Sequence, residues 1–191
     1  MTVLSGVLTR EIIENKTITR VFGVSVFVTL TMLGAFVRIP LPFTPVPVTL
    51  QTFFVLLSGL FLGRNLGGIA QVSYVLLGIA GLPFFTGTGS GIFHILGPTG
   101  GYLAGFVAAS FYIGRSIRRA KEGFWQTAAI LLTGDCILLC CGVLWLKLIT
   151  GFSFFTLFCI GFIPFIPGDI LKVAAAAVIY RKLKPRLKEI F

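Results

Sequence analysis

The sequence has few charged residues, and most of those are basic. Only 12% of its 191 residues are charged, and 6 Asp and Glu stand against 16 Lys and Arg. A soluble domain of this size carries about 25% charged residues, so the composition excludes one. The chain contains no Gly-x-x-x-x-Gly-Lys-Ser/Thr motif, which excludes ATP binding through a P-loop. Its single histidine leaves a metal site short of ligands, although four cysteines are present.

Long apolar segments fill most of the chain, which is 56% hydrophobic. Short basic clusters, prolines or glycines separate them, and this pattern is typical of membrane-spanning helices. We therefore predict an all-α integral membrane protein with six transmembrane helices. The expected spans are 21–37, 48–62, 66–80, 97–114, 124–146 and 167–180. The flanking parts are an N-terminal segment, 1–20, without a cleavable signal peptide, and a basic tail, 181–191, around a six-helix domain, 21–180.

The basic residues are distributed unequally between the two sides of the predicted bundle. With six spans, thirteen Lys and Arg fall on the side of the termini and two on the other side. Basic loops stay in the cytoplasm, so both termini are predicted to be cytoplasmic. The net charge of +10 thus reports orientation in a lipid bilayer, in the cell (inner or cytoplasmic) membrane, and needs no nucleic acid as partner.

An acid and a base lie three residues apart at the start of the sixth predicted span. Asp169 and Lys172 follow Pro167, which favours the first turn of a helix. A spacing of three residues places both side chains on one helix face. Ionisable groups at membrane depth usually face a ligand, a partner or a cavity, so we predict that the two bind substrate. The alternative is an internal ion pair that only orients the helix.

Three segments without long helix are expected on the side opposite the termini. The first, 38–47, has four prolines in eight residues, and Pro45 and Pro47 are predicted to form a gate loop over the site. The second, 81–91, is glycine-rich, and we predict that Gly89 and the nearby His94 belong to a second gate. Ser90 and His94 do not indicate a serine hydrolase, because the flanking glycines of the nucleophile motif are missing. The third, 147–166, is interpreted as a loop with a short half-helix or as a re-entrant segment.

Other polar residues in the apolar segments are candidate ligand contacts. Gln51 can donate and accept hydrogen bonds toward a polar ligand, or bond to a neighbouring helix instead. Tyr74 and Tyr102 can stack on a ligand or anchor the helices at the interface. Asp135 has no cation nearby in the sequence, and either pairs with another span or lines the cavity.

These stretches together resemble the BioY family, the substrate-capture subunits of biotin transporters of the energy-coupling factor type. The resemblance is carried by 39–52, 78–83, 97–106 and 164–172, in family order. It implies six helices, an outward-facing biotin pocket, no cofactor and no catalysis in this subunit. It further implies a transmembrane coupling protein and two ATPase subunits as partners, which hydrolyse ATP to drive delivery inward. His94 is a departure from what the family leads us to expect.

Two other functions are compatible with a membrane protein of this kind. One is a stand-alone secondary carrier of biotin or another small organic anion, although such carriers usually show internal repeats with paired broken helices. The other is an intramembrane enzyme using Asp169 and Lys172, which would need a nucleophile or metal that the sequence does not show.

Overall fold

The computed structural model describes residues 16–121 and 123–187. The predicted N-terminal segment therefore lies largely outside the described residues, as do Glu122 and the last residues of the basic tail. Seven helices and one short pair of strands form the described architecture. In chain order they are α1 Lys16–Phe36, β1 Arg38–Ile39, β2 Val48–Thr49, α2 Gln51–Ile79, α3 Ile92–Leu96, α4 Gly100–Ile117, α5 Phe124–Thr150, α6 Phe154–Gly161 and α7 Ile166–Leu187.

The protein is a mostly helical integral membrane protein, in agreement with the predicted class. Within the described residues, four segments are long and apolar enough to cross a membrane. These are Lys16–Phe36, Gln51–Ile79, Phe124–Thr150 and Phe154–Lys184, the last of which contains α6 and most of α7.

Helix α2 folds back on itself at Gly63. The backbone there has φ 75° and ψ −171°, which is not helical and is a conformation essentially restricted to glycine. The side chains of Ser58 and Gln71 lie on opposite sides of this point and hydrogen-bond at 3.0 Å. In a straight helix they would be about 20 Å apart, so the two halves of α2 form an antiparallel hairpin. The two halves correspond to the separate predicted segments 48–62 and 66–80.

Glycines allow α4 to pack closely on both α2 and α5. A Cβ on Gly105 would lie 2.8 Å from the carbonyl oxygen of Leu138 on α5. Gly101 faces Cys141 and Trp145 of α5 in the same way. Gly101 and Gly105, four residues apart, therefore lie on a face of α4 that packs closely against α5.

The loops contain more regular structure than the sequence predicted. Residues Arg38 and Ile39 pair with Thr49 and Val48 in an antiparallel ladder, so the ends of the proline loop are tied together. The glycine loop contains a 3-10 turn at Thr86–Thr88 and is followed by the short helix α3. Strand pairing satisfies backbone groups that a purely irregular loop would leave unpaired.

Candidate functional site

A cavity lies where the three predicted loops meet the ends of the helices. The space that a water-sized molecule can occupy is about 40 Å³, within a wider hollow of about 490 Å³ that is partly open to solvent. The proline loop, the glycine loop, α3 and the segment before α7 each contribute to its lining. Residues from these parts are Val46, Pro47, Phe85, Thr86, His94 and Phe165. Loops distant in sequence therefore form one enclosure.

Lys172 is the basic residue that lines this cavity. Its Nζ donates hydrogen bonds to Asp169 Oδ1 at 2.8 Å and to Thr52 Oγ1 at 2.7 Å. Thr52 also lies 3.4 Å from Asp169 Oδ1. An ammonium group has three N–H donors, so two are used within this network and one remains for a ligand.

Asp169 lies behind Lys172 and does not line the cavity. It is 2% exposed, and its position in the first turn of α7 is favoured by the helix dipole. The ion pair with Lys172 spans one turn of the helix, as the spacing predicted. Asp169 therefore holds the lysine in place, while the lysine itself faces the open space.

A second buried carboxyl group, that of Asp135 on α5, contacts Asp169. The two carboxyl groups are close enough to interact electrostatically, and Asp135 is 4% exposed. Within the described residues, neither Asp135 Oδ1 nor Asp169 Oδ2 has a hydrogen-bond partner. Asp135, which has no cation nearby in the sequence, thus joins a cluster of two carboxyl groups and one lysine.

Gln51 and Tyr74 form a hydrogen-bonded chain beside the cavity. The Gln51 Nε2 donates to the Tyr74 hydroxyl at 2.5 Å, and this hydroxyl donates to the carbonyl of Phe84 at 2.9 Å. Gln51 lines the cavity, whereas Tyr74 does not and is fully buried. Tyr74 consequently supports Gln51 and the glycine loop from behind the wall.

Aromatic side chains give the cavity an apolar wall. Tyr102 and Phe106 from α4 and Phe165 before α7 line it, together with Leu138 and Leu139 of α5. The rings of Tyr102 and Phe165 lie 5.8 Å apart, and the Tyr102 hydroxyl donates to the carbonyl of Gly161 at 2.6 Å. The polar end of Tyr102 is thus occupied within the protein, which leaves its ring as the surface offered to a ligand.

The gate residues predicted from the sequence have different positions. His94 and Pro47 line the cavity, whereas Pro45 is exposed and Gly89 does not line it. Gly89 lies directly against the His94 imidazole, where a Cβ would overlap Nδ1. The imidazole stacks on Phe85 at 4.9 Å.

His94 carries an unused polar atom next to the cavity. Its Nε2 is buried and has no hydrogen-bond partner within the described part of the chain. Desolvation lowers the pKa of His94 below its ordinary value of 6.5, which favours the neutral imidazole.

Three site features were not recognised in the sequence: Thr52, the aromatic wall, and the contact between Asp135 and Asp169. Thr52 directly follows the candidate residue Gln51, and this position in the sequence could have indicated that Thr52 belongs to the site. Phenylalanines occur throughout this chain, so no local pattern distinguishes Phe85 or Phe165 from lipid-facing rings.

A helical bundle with a loop-covered cavity, an apolar wall and one lysine is the architecture of a membrane protein with a candidate site for a small molecule. The BioY family model matches residues 9–189. The chain belongs to the BioY family. This is a family of transport proteins and not of enzymes, and the protein is a multi-pass membrane protein.

Relatives with known names agree with this assignment. A probable biotin transporter BioY of Pyrococcus horikoshii is 42% identical over 161 residues, covering 84% of this chain and 93% of the relative. The biotin transporter BioY of Thermotoga maritima is 40% identical, covering 83% of this chain and 92% of the relative. The fold is also similar to that of the S-component for biotin from an ECF-type ABC transporter. That crystal structure superimposes with a TM-score of 0.84 and 27% identity, covering 90% of this chain and 93% of the other.

Proposed function

We propose that this protein takes up biotin, which it binds in the cavity beside Lys172. The observation that carries the proposal is a lysine whose Nζ is fixed by Thr52 and Asp169 and still has one donor for a ligand. The biotin transporters among its relatives support the choice of ligand.

The chemistry of biotin fits the residues around the cavity. Biotin has a ureido group with two N–H donors and a carbonyl, and a chain that ends in a carboxylate. We assign to Lys172 a hydrogen bond to a biotin oxygen and to Asp169 the role of orienting that lysine. The Gln51 side-chain oxygen and His94 Nε2 are assigned as polar contacts to the ligand, and the ring of Tyr102 as part of the apolar wall. Tyr74 acts through Gln51.

The proline loop and the glycine loop are proposed as the gates of this site. Pro47 and His94 provide the contacts with the ligand, while Pro45 and Gly89 shape the loops that carry them. Opening of these loops would admit biotin from outside the cell.

We propose six spans with both termini in the cytoplasm of the cell. The hairpin of α2 provides two of them, and α4 provides one that the four long apolar segments do not include. Arg64 lies at the Gly63 turn, further basic residues lie at and after the end of α4, and others occupy the last turns of α7; the positive-inside rule assigns these ends to the cytoplasm. The cavity then opens to the outside of the cytoplasmic membrane.

We further propose that delivery into the cell requires a transmembrane coupling protein and two ATPase subunits. The similarity to an S-component of an ECF-type ABC transporter supports this arrangement. Biotin is the transported substrate in this scheme, and ATP hydrolysis belongs to the partners.

The first test is equilibrium binding of labelled biotin to the purified chain in detergent, with riboflavin and thiamine as competitors. Saturable binding that biotin displaces and the other two vitamins do not displace is expected. The variant Lys172→Met should weaken binding by roughly 10- to 100-fold, because a hydrogen bond to a charged group contributes about 1.5–3 kcal/mol.

A double variant separates loss of binding from loss of the fold. Lys172→Met alone leaves Asp169 as an unpaired buried charge, whereas Asp169→Asn with Lys172→Met removes both charges. The double variant should fold and still fail to bind biotin tightly. Wild-type affinity in the folded double variant would refute the assignment. Biotin uptake by cells that contain this chain and no ATPase partners would support the stand-alone carrier instead.

A further inference from the structure

A second hollow, distinct from the biotin cavity, is lined by five arginines. They are Arg20 on α1, Arg64 next to the Gly63 turn, and Arg115, Arg118 and Arg119 at the end of α4. We call this set the arginine hollow. From Gln51 to Gly63 the first half of α2 covers about 18 Å, so the hollow lies at the end of the bundle away from the cavity.

No carboxylate lines the arginine hollow in the part of the chain that the structure describes. The acidic residues within 16–121 and 123–187 are Asp135 and Asp169, which lie behind Lys172 near the other cavity. Five like charges in one hollow repel one another, and an anion bound between them would relieve that repulsion.

Two of the arginines are held in place by their surroundings. The guanidinium of Arg64 lies over the ring of Phe111, 4.3 Å from its centroid. The guanidinium of Arg118 lies against Gly63, where a Cβ would be 2.8 Å from Nη2. Guanidinium groups fixed in advance lose less conformational entropy on binding, and their planar donors match a phosphate group.

The remaining lining is partly apolar. Phe61, Leu62 and Leu66 from the two halves of α2 lie beside the arginines, with Asn65 as a further polar group. Basic pockets between membrane helices on the cytoplasmic side are suited to anionic headgroups.

We propose that the arginine hollow binds a phosphate-bearing anion at the cytoplasmic end of the protein. The cytoplasmic position rests on the proposed orientation, whereas the binding of phosphate rests on the five arginines alone. The shared chemistry is a phosphate group with two or more negative charges, carried either by an anionic phospholipid such as cardiolipin or by a free phosphate compound.

The test measures thermal unfolding of the full chain in detergent after addition of cardiolipin, phosphatidylcholine or inorganic pyrophosphate. Cardiolipin well above its dissociation constant should raise the midpoint by roughly 5 °C. Phosphatidylcholine should not, and high salt should abolish the effect. Stabilisation by pyrophosphate alone would identify a free phosphate compound as the ligand.

Two variants with equal loss of charge decide whether the hollow is the site. Arg115→Gln with Arg119→Gln should remove the stabilisation, whereas Arg181→Gln with Lys182→Gln, outside the hollow, should retain it. Equal effects of both variants, or a wild-type chain that neither cardiolipin nor pyrophosphate stabilises, would overturn the proposal. The latter result would leave an acidic protein segment as the candidate occupant.

Biotin binding distinguishes failure of this proposal from failure of the proposed function. The variant of Arg115 and Arg119 should bind biotin like the wild type. The variant of Asp169 and Lys172 should lose biotin and keep the response to cardiolipin.

Discussion

The side chain of Gln51 donates a hydrogen bond to the hydroxyl of Tyr74 between the two halves of the α2 hairpin, although 23 positions separate them in the sequence. The same hydroxyl donates to the carbonyl of Phe84. One buried phenol therefore connects a cavity-lining amide to the base of the glycine loop. The position of this loop depends on the hairpin below it.

Replacing Tyr74 by Phe should destabilise the protein and weaken biotin binding. The change leaves the buried Gln51 amide and the Phe84 carbonyl without a partner, which costs about 1–3 kcal/mol. The melting temperature in detergent should fall by roughly 2–10 °C. Tyr112→Phe is the matched control, because no hydrogen bond of its hydroxyl is found within 16–121 and 123–187. Equal effects of the two variants would contradict this role.

Replacing Gly63 by Ala should disrupt the α2 hairpin. The backbone at φ 75° and ψ −171° strains any residue with a Cβ by about 1–3 kcal/mol, and the added carbon would meet Arg118. Thermal unfolding should show a lower midpoint for this variant. Gly68→Ala is the control, because Gly68 is helical and its nearest neighbour would be Phe111 at 3.8 Å. A Gly63→Ala protein as stable as the wild type would show that the hairpin does not depend on this glycine-restricted backbone conformation.

Acidification should destabilise the protein through His94, the one histidine of the chain. Its pKa in the folded state is lowered by desolvation from 6.5. The unfolded chain therefore binds the proton more readily, and the contribution of His94 to stability is present above about pH 6.5 and is lost as the pH falls through the folded value.

Melting temperatures at pH 7.5 and pH 5.5 test this expectation. The decrease on acidification should be larger for the wild type than for His94→Gln, which has no imidazole to protonate. Identical decreases would show that other groups account for the pH dependence.

The contact between Asp135 and Asp169 predicts different effects for two substitutions of Asp135. Two buried carboxylates with one lysine would leave a net negative charge, whereas a proton held between them leaves the cluster neutral. Asp135→Asn mimics the protonated form and should keep biotin affinity within about 3-fold. Asp135→Leu removes the carboxyl group beside Asp169, so that no proton can be shared there, and should weaken binding by roughly 5- to 100-fold, since an unsatisfied buried group costs about 1–3 kcal/mol.

Biotin binding and circular dichroism of both Asp135 variants provide the measurement. If Asp135→Asn weakens biotin binding as much as Asp135→Leu while both remain folded, biotin binding does not depend on a proton shared between Asp135 and Asp169.

Much of the candidate site could be located from local sequence. Prolines in 38–47 and glycines in 81–91 interrupt helices through covalent geometry, so the loops were predictable. The spacing of Asp169 and Lys172 was sufficient to place both on one helix face. The sequence did not predict that Lys172 lines the cavity while Asp169 lies behind it. This arrangement depends on hydrogen bonds to Thr52, which belongs to another helix.

The sequence by itself determined the class of protein, the apolar segments and the positions of the loops, because hydrophobicity, charge and backbone restriction act over a few residues. Tertiary structure decided which side chains share the cavity. The hairpin at Gly63 brings Tyr74 to Gln51, and packing of α5 against α7 brings Asp135 to Asp169. Such contacts depend on how whole helices pack, and a local pattern does not specify them.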